Sequence, residues 1–235
     1  MPPETFRRIR GSDDEPGRFV LGVTGASGAA YALRALELLL SNGHEVHLIV
    51  SDYGRRLLAD EAGVRTLDAT GLLGHLGSDD PPAGLRAREG FGPRELAAWS
   101  SRLVVHPNKD VGAVIASGSF LHHGMAVLPC SSASLGAIAT SSGSNLLTRA
   151  AMVTLKERRT LVVCHRESPL SLIDIENMRT LALAGAVVCP TNPGLYLRPR
   201  GVADVVDFVA GKVLDLLCVR HDLATRWGGG AGTPM

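Results

Sequence analysis

Three glycines near the start of the chain mark a turn that can bind an anion. Gly22, Gly25 and Gly28 stand in the segment FVLGVTGASGAAY, between residues that favour a strand and residues that favour a helix. Such a turn directs backbone N–H groups and the positive end of a helix at a phosphate, and Ser27 can add a hydroxyl. The alternative is a tight strand-to-helix turn without a ligand, which glycines alone would explain.

The spacing of these glycines favours a mononucleotide over a dinucleotide. A dinucleotide-binding turn has the pattern G-x-G-x-x-G and pairs with an acidic residue that ends the second strand. Here the pattern is G-x-x-G-x-x-G, and the second strand ends at Ser51, with Asp52 after it. A mononucleotide such as FMN therefore fits this turn better than NAD.

A second turn, in the segment LPCSSAS, carries serines where a strand becomes a helix. Ser131, Ser132 and Ser134 bring hydroxyls and free N–H groups to this point. Those groups suit a phosphate or the edge of a flavin ring. Plain capping of the helix by Ser131 explains the same local sequence equally well.

A set of cations, with one phenol and one carboxylate, follows in the second half of the chain. Arg149 and Lys156 are seven residues apart on one predicted helix, close to two full turns, so they share a face. Taken singly, each charge is typical of a solvated surface. Together they suit a second phosphate, with Glu167 as a proton donor or acceptor. The full set is Arg149, Lys156, Arg166, Glu167, Tyr196 and Lys212.

Strand and helix patterns alternate along the segments that must position these residues. Near-continuous apolar strands such as RFVLGVT, EVHLIVS, MAVLPCS and TLVVCHRE indicate a parallel sheet with helices on both faces. Ligands of such sheets bind at the carboxyl ends of the strands. We predict one α/β domain over residues 18–222, a Rossmann-like three-layer sandwich, with flexible arms at 1–17 and 223–235. Residues 74–95, rich in glycine, proline and charge, are predicted to be a surface excursion.

Composition excludes several classes of protein. The chain has 235 residues, 45% of them hydrophobic, and a net charge of +1. That balance argues against binding to nucleic acid or to a membrane surface through bulk charge. The sequence contains no long apolar run and no apolar leader, and its four cysteines are widely spaced. We expect a cytoplasmic protein with reduced cysteines, no metal and no membrane span.

Six segments, taken together, resemble the UbiX-type flavin prenyltransferases. They occur in the order of that family over about residues 19–220: GVTGASGAAY, ASGSF, LPCS with LGAIA, NLLTRAAMVTLKERR, RESPLSLIDIENM and NPGLYLRP. The resemblance implies a flavodoxin-like fold, with reduced FMN bound as a substrate and dimethylallyl phosphate as the prenyl donor. It also implies a homo-oligomer, a dodecamer by family resemblance, and a UbiD-type decarboxylase that receives the prenylated FMN.

The resemblance further assigns roles to residues at matching positions. FMN would be bound by Gly25, Ala26, Ser27, Ser51, Ser131, Ser132, Ala133, Ser134 and Arg166. The prenyl phosphate would be bound by Lys156, Arg166, Tyr196 and Lys212, with Arg149 nearby or reaching across a subunit boundary. The polar groups nearest the chemistry would be Ser27, Glu61 and Glu167.

Two other functions stay open from the sequence. A flavin-dependent decarboxylase of a small acid or of a peptide cysteine would need a catalytic base near the flavin. Such enzymes are expected to carry a histidine at the start of the helix after the second strand, where this chain has Ser51, Asp52 and Tyr53. A non-enzymatic FMN carrier would make the cations dispensable.

Overall fold

The chain folds around one six-stranded parallel sheet, in the strand order β3-β2-β1-β4-β5-β6. The computed structural model describes residues 16–76, 81–86, 92–223 and 225. The strands are β1 Arg18–Val23, β2 Glu45–Val50, β3 Leu103–His106, β4 Gly124–Cys130, β5 Thr160–His165 and β6 Val187–Val188. The predicted arms, 1–17 and 223–235, lie almost wholly outside the described residues.

Helices cover both faces of the sheet. They are α1 Ala29–Ser41, α2 Asp52–Ala62, α3 Ala69–Leu76, α4 Pro93–Ser100, α5 Ser132–Ala139, α6 Leu146–Lys156, α7 Leu172–Ala184 and α8 Val202–Leu216. One core lies under α1 and α8, and the other lies under α5, α6 and α7. The predicted fold class, a three-layer α/β sandwich of the flavodoxin-like type, is confirmed.

Alternation along each strand builds the two cores. On β1, Phe19 and Leu21 enter the first core, whereas Val20 enters the second. Neighbouring side chains of a strand point to opposite faces, so a strand that is apolar throughout must be covered on both sides. This is the pattern from which the sequence predicted the sheet.

The prediction of a surface excursion over residues 74–95 is wrong at its two ends. Residues 74–76 close helix α3, and 93–95 open helix α4. Leu72, Leu73 and Leu76 are buried in the first core because their spacing places them on one helical face. Residues 77–80 and 87–91 lie outside the described residues. The short edge strand β3 was also not predicted, since its apolar run, LVV, is only three residues long.

The order of the strands fixes where a ligand can bind. The chain runs outward from β1 through β2 to β3 and then crosses back to β4 on the other side of β1. The turns after β1 and β4 therefore flank a topological switch point, the usual ligand crevice of a parallel sheet. The glycine turn and the serine turn are these two turns.

Candidate active site

The glycine turn is shaped by close packing as well as by conformation. A Cβ at Gly25 would lie 2.4 Å from the Cβ of Tyr53, so only glycine lets the first turn of α2 approach. Gly28 has φ +131°, a conformation that L side chains rarely adopt. Between them, Ala26 is buried and Ser27 is exposed. The turn therefore presents one hydroxyl, that of Ser27, at the edge of the sheet.

Thr24 joins the two predicted FMN turns. Its buried hydroxyl donates to the carbonyl oxygen of Pro129 at 2.9 Å and accepts from the backbone N–H of Ser131 at 2.7 Å. The backbone N–H of Thr24 also donates to the Pro129 carbonyl. Thr24 was not predicted to be a functional residue, although a single hydroxyl residue directly after an apolar strand could have indicated it.

The serines of the other predicted FMN positions cap helices. Ser51 precedes α2 and accepts from the N–H of Gly54 at 3.0 Å. Ser131 precedes α5, accepts from the N–H of Ser134 at 3.4 Å and donates to the Ser134 hydroxyl at 3.2 Å. Capping by Ser131, one of the two explanations of its sequence, is confirmed. Ser51 caps α2 in the same way, and both caps lie at the carboxyl edge of the sheet.

Glu61 lies across the start of α1. One carboxylate oxygen accepts from the backbone N–H groups of Gly28 and Ala29, both at 2.9 Å. Burial alone would raise the pKa of Glu61, but hydrogen bonds from Ser27, Ala29 and Gly28 outweigh it, together with the charge of Arg166. The net pKa is below its ordinary value. The chain's own carboxylate therefore occupies the helix end, and an anion at this turn would meet Gly25, Ala26 and Ser27.

Arg166 and Glu167 reach the same place from β5. The backbone N–H of Arg166 donates to the carbonyl of Cys130, and its side-chain Nε donates to the carbonyl of Ser27 at 3.3 Å. Glu167 accepts from the N–H of Ser168 at 3.0 Å and is exposed. The structure thus brings together Ser27, Arg166 and Glu167, as their positions after β1 and β5 predict, and adds Glu61 from the last turn of α2.

These four residues line one cleft of about 660 Å³. Tyr31, His165, Met178, Thr191 and Val202 contribute to the same walls. Burial raises the pKa of Tyr31, opposed by the charge of Arg166 and reinforced by that of Glu61. The volume falls within the range of small-molecule sites. Three polar turns, on the adjacent strands β2, β1 and β4, also border the switch point, so the donor set fits a mononucleotide such as FMN.

Tyr196 and Lys212 are not among the residues that line this cleft. Tyr196 packs edge-on against Phe208 of α8, with ring centroids 5.9 Å apart. Lys212 lies on α8 and is exposed, and its positive charge influences the thiol of Cys189, which follows β6. A hydrogen bond with Cys164 and the charge of Lys212 together outweigh burial and lower the pKa of Cys189 below its ordinary value.

Lys156 lies at the amino edge of the sheet, where the parallel strands begin, opposite the carboxyl edge that carries the cleft. It ends α6, four residues before β5 begins, and pairs with Glu157 beside Gly118. Arg166 follows the other end of β5, and a strand of this length separates the two by roughly 16 Å or more. Arg149, in the first turn of α6, is exposed. One chain therefore does not bring Lys156 and Arg166 together.

Comparisons with known proteins agree with this geometry. The model of the Flavoprotein family matches residues 7–214. A flavin prenyltransferase UbiX from Halalkalibacterium halodurans is 37% identical over 212 residues, 90% of this chain and 94% of that protein. The crystal structure of AnUbiX (PadA1) with FMN and dimethylallyl pyrophosphate is 31% identical, with a TM-score of 0.71, over 92% of this chain and 100% of that one.

A second solved structure is equally similar. The dodecameric FMN-dependent UbiX-like decarboxylase from Escherichia coli O157:H7 is 33% identical, with a TM-score of 0.72, over 90% of this chain and 100% of that one. This chain belongs to the Flavoprotein family and, within it, to the UbiX-type flavin prenyltransferases. It is an FMN-binding transferase. No helix of the described residues has the length and apolar character needed to cross a membrane.

Proposed function

We propose that this chain transfers the dimethylallyl group of dimethylallyl phosphate to N5 and C6 of reduced FMN. The observation that carries the proposal is the cleft in which Ser27, Glu61, Arg166 and Glu167 meet, beside the polar turns of the switch point. The overall change breaks the donor's C–O bond and forms bonds from flavin N5 to prenyl C1 and from flavin C6 to prenyl C3. Of the two protons lost from N5 and C6, one is taken up by prenyl C2 as its double bond is consumed, and the other leaves with the phosphate.

FMN would bind along the edge formed by β2, β1 and β4. The residues proposed to hold it are Gly25, Ala26, Ser27, Ser51, Arg166 and the turn Ser131–Ser134. Thr24 supports this assignment because its hydroxyl fixes the distance between the two main turns. Reduced FMN supplies the nucleophilic atoms and a π-face that shelters an allylic cation.

The prenyl phosphate would be held by cations that stabilise its growing charge as the C–O bond breaks. Preplaced cations in a site that excludes water are effective in this role because they need no reorganisation during the reaction. Arg166 supports the proposal since, in the described part of the chain, it forms no salt bridge and is open to a ligand. Tyr196 and Lys212 are proposed to complete the phosphate site from the flank of α8.

Lys156 and Arg149 are proposed to join the site from a neighbouring subunit. Lys156 is 61% exposed at its side chain and lies at the far edge of its own sheet. An apolar surface suited to subunit contact lies on α7, where Leu172 and Ile173 are 72% and 73% exposed. We therefore propose a homo-oligomer, and a dodecamer like the E. coli relative.

Proton transfer in the reaction is assigned, as part of the proposal, to three residues: Glu167, Glu61 and Ser27. Glu167 is exposed in the cleft, so its carboxylate is available to accept the proton lost from C6. Glu61 is held as an anion by hydrogen bonds and orients Ser27. We further propose that the enzyme works in the cytoplasm and that its product serves a UbiD-type decarboxylase.

The test is an anaerobic incubation of the purified protein with reduced FMN and a prenyl donor, followed by mass spectrometry of the released flavin. Dimethylallyl phosphate and dimethylallyl diphosphate are supplied separately. We expect a flavin heavier by one five-carbon unit with the monophosphate. Unmodified FMN with both donors, in a protein that still binds FMN, would contradict the proposal and favour decarboxylation or FMN carriage.

A further inference from the structure

A buried histidine beside the cleft takes no part in the function proposed above. His165 ends β5, is 3% exposed, and immediately precedes Arg166. Its Nε2 lies 3.1 Å from the hydroxyl of Ser132, the first residue of α5. The same Nε2 lies 3.9 Å from a carboxylate oxygen of Asp174, on the first turn of α7. Three elements therefore converge on one imidazole.

Asp174 is the fixed anion of this cluster. Its other carboxylate oxygen accepts from the Ser171 hydroxyl at 2.6 Å and from the Ser171 N–H at 3.0 Å. Hydrogen bonds from Ser171 and Ser132 lower the pKa of Asp174 to about 2. A carboxylate without a proton can only accept hydrogen bonds. The Ser132 hydroxyl therefore has two partners, the Asp174 carboxylate, which can only accept, and Nε2 of His165 at 3.1 Å.

This assignment fixes the role of the histidine. The arrangement that gives each group a partner has Ser132 donating its one proton to Asp174 and its oxygen accepting from Nε2 of His165, which then carries the hydrogen. Burial lowers the pKa of His165, and Arg166 acts in the same direction, whereas Asp174 and Glu167 oppose it. The net pKa is below the ordinary value, so the imidazole is neutral near pH 7. The chain of donors runs from His165 through Ser132 to Asp174.

The same geometry excludes a hydrolytic triad. In a triad the carboxylate bonds to Nδ1 of the histidine, and Nε2 takes the proton of the serine. Here the carboxylate and the serine hydroxyl both lie at Nε2, at 3.9 and 3.1 Å, so the carboxylate does not orient the imidazole through Nδ1. Ser132 is therefore positioned and not activated as a nucleophile.

The cluster joins the two parts of the site. Ser132 belongs to the turn proposed to bind FMN. His165 and Asp174 bracket residues 166–173, the stretch that carries Arg166 and Glu167. A shift of the serine turn would thus break the bonds at both ends of that stretch.

We infer that His165 is a positioning residue for FMN, which holds Ser132 so that the serine turn keeps its register with Arg166 and Glu167. The inference rests on the proposed FMN site and not on prenyl transfer itself. Ser132 is held through its hydroxyl. Since the N–H of Ser131 donates to Thr24 and the N–H of Ser134 donates to Ser131, the N–H groups of Ser132 and Ala133 are the ones offered to an anion in this turn.

The test measures the dissociation constant of FMN in variants of this pair. His165→Leu removes the donor, and His165→Gln places an amide N–H near the position of Nε2. We expect about tenfold weaker FMN binding for His165→Leu, the size of one buried hydrogen bond, and recovery to within about threefold for His165→Gln. Thermal unfolding of each variant verifies that it is folded.

Ser132→Ala and the double variant with His165→Leu complete a mutant cycle. If His165 acts through Ser132, the double variant should bind FMN no more weakly than the worse single variant. Additive losses, or unchanged binding in folded His165→Leu, would overturn the inference. So would a glutamine variant that folds but binds no better than leucine. FMN binding is measured without a prenyl donor. The dissociation constants can therefore be interpreted even if the protein does not catalyse prenyl transfer.

Discussion

Charged side chains at the amino edge of the sheet, where the parallel strands begin, differ in their partners from those at the carboxyl edge, where the strands end. At the amino edge, charged groups have their partners: Arg159 donates to the carbonyls of Gly118 and Phe120 at 2.6 and 2.7 Å, and Arg18 donates to Glu45 at 3.0 Å. At the carboxyl edge, Arg166 meets only a carbonyl at 3.3 Å in the described part of the chain. The difference indicates that one edge is built for stability and the other for a ligand.

Lys156 differs from Arg159 and Arg18 because its side chain is largely exposed. It lies at the amino edge, and its partner is its own neighbour, Glu157. An exposed surface pair of this kind contributes little to stability. Lys156 therefore fits the proposal that the amino edge of one subunit serves the carboxyl edge of another.

Replacing Arg166 should give the largest effect. Arg166→Ala removes the cation proposed to stabilise the leaving phosphate, and we expect kcat/KM to fall about 100- to 1,000-fold in the anaerobic assay. Arg56→Ala is the matched control, since the side chain of Arg56 is 79% exposed and its pair with Asp60 is long, at 3.4 Å. A small loss with Arg166→Ala, similar to that of the control, would break the contrast between the edges.

Glu167 should affect turnover more than binding. Glu167→Gln keeps the shape of the side chain but removes a proton acceptor, so we expect kcat to fall about 100-fold while the dissociation constant of FMN changes less than about threefold. Single-turnover measurements with saturating donor separate the two effects. Normal turnover in this variant would assign the proton to the departing phosphate.

Glu61 should give a smaller effect that depends on pH. Its pKa in the folded chain is below the ordinary value, so its charge stabilises the fold above the unfolded pKa, and that contribution disappears as pH falls through the folded pKa. We expect Glu61→Gln to lower the free energy of unfolding by about 1 kcal/mol at pH 7, typical of a helix cap.

Denaturant unfolding of both proteins from pH 7 to pH 3 measures this dependence. The difference between Glu61→Gln and the parent should shrink as the pH falls below 4.5, the ordinary value for a glutamate. A difference that stays constant over the range would show that the charge on the end of α1 does not stabilise the fold.

The carboxyl edge was predictable because its signals are local. Apolar strands, the positive-φ Gly28 and the caps at Ser51 and Ser131 depend on neighbours in sequence. The contact of Glu61 with Gly28 and the bond of Thr24 to Ser131 join residues far apart in the chain, and only the fold brings them together. The resemblance to the family named Glu61, but spacing alone gave no sign of it.

The prediction for Lys156 shows a different limit. Seven residues along a helix return to the same face, as the sequence analysis argued, but they also travel about 10 Å along the axis. Since α6 runs from the carboxyl edge to the amino edge, Lys156 is carried away from Arg166. Helical periodicity tells which face of a helix a residue is on, but not how far along the helix axis it lies. The sequence pattern therefore did not reveal that Lys156 and Arg166 are far apart within one subunit.

The most direct test of this account mixes two defective subunits. Arg166→Ala and Lys156→Ala chains with different affinity tags are coexpressed, and oligomers carrying both tags are assayed for prenylated flavin. If a site takes Arg166 from one subunit and Lys156 from another, about a quarter of the sites in such a mixture are intact, and activity should recover to about that fraction of the parent. Activity no higher than that of either variant alone would contradict a site built from opposite edges of two sheets.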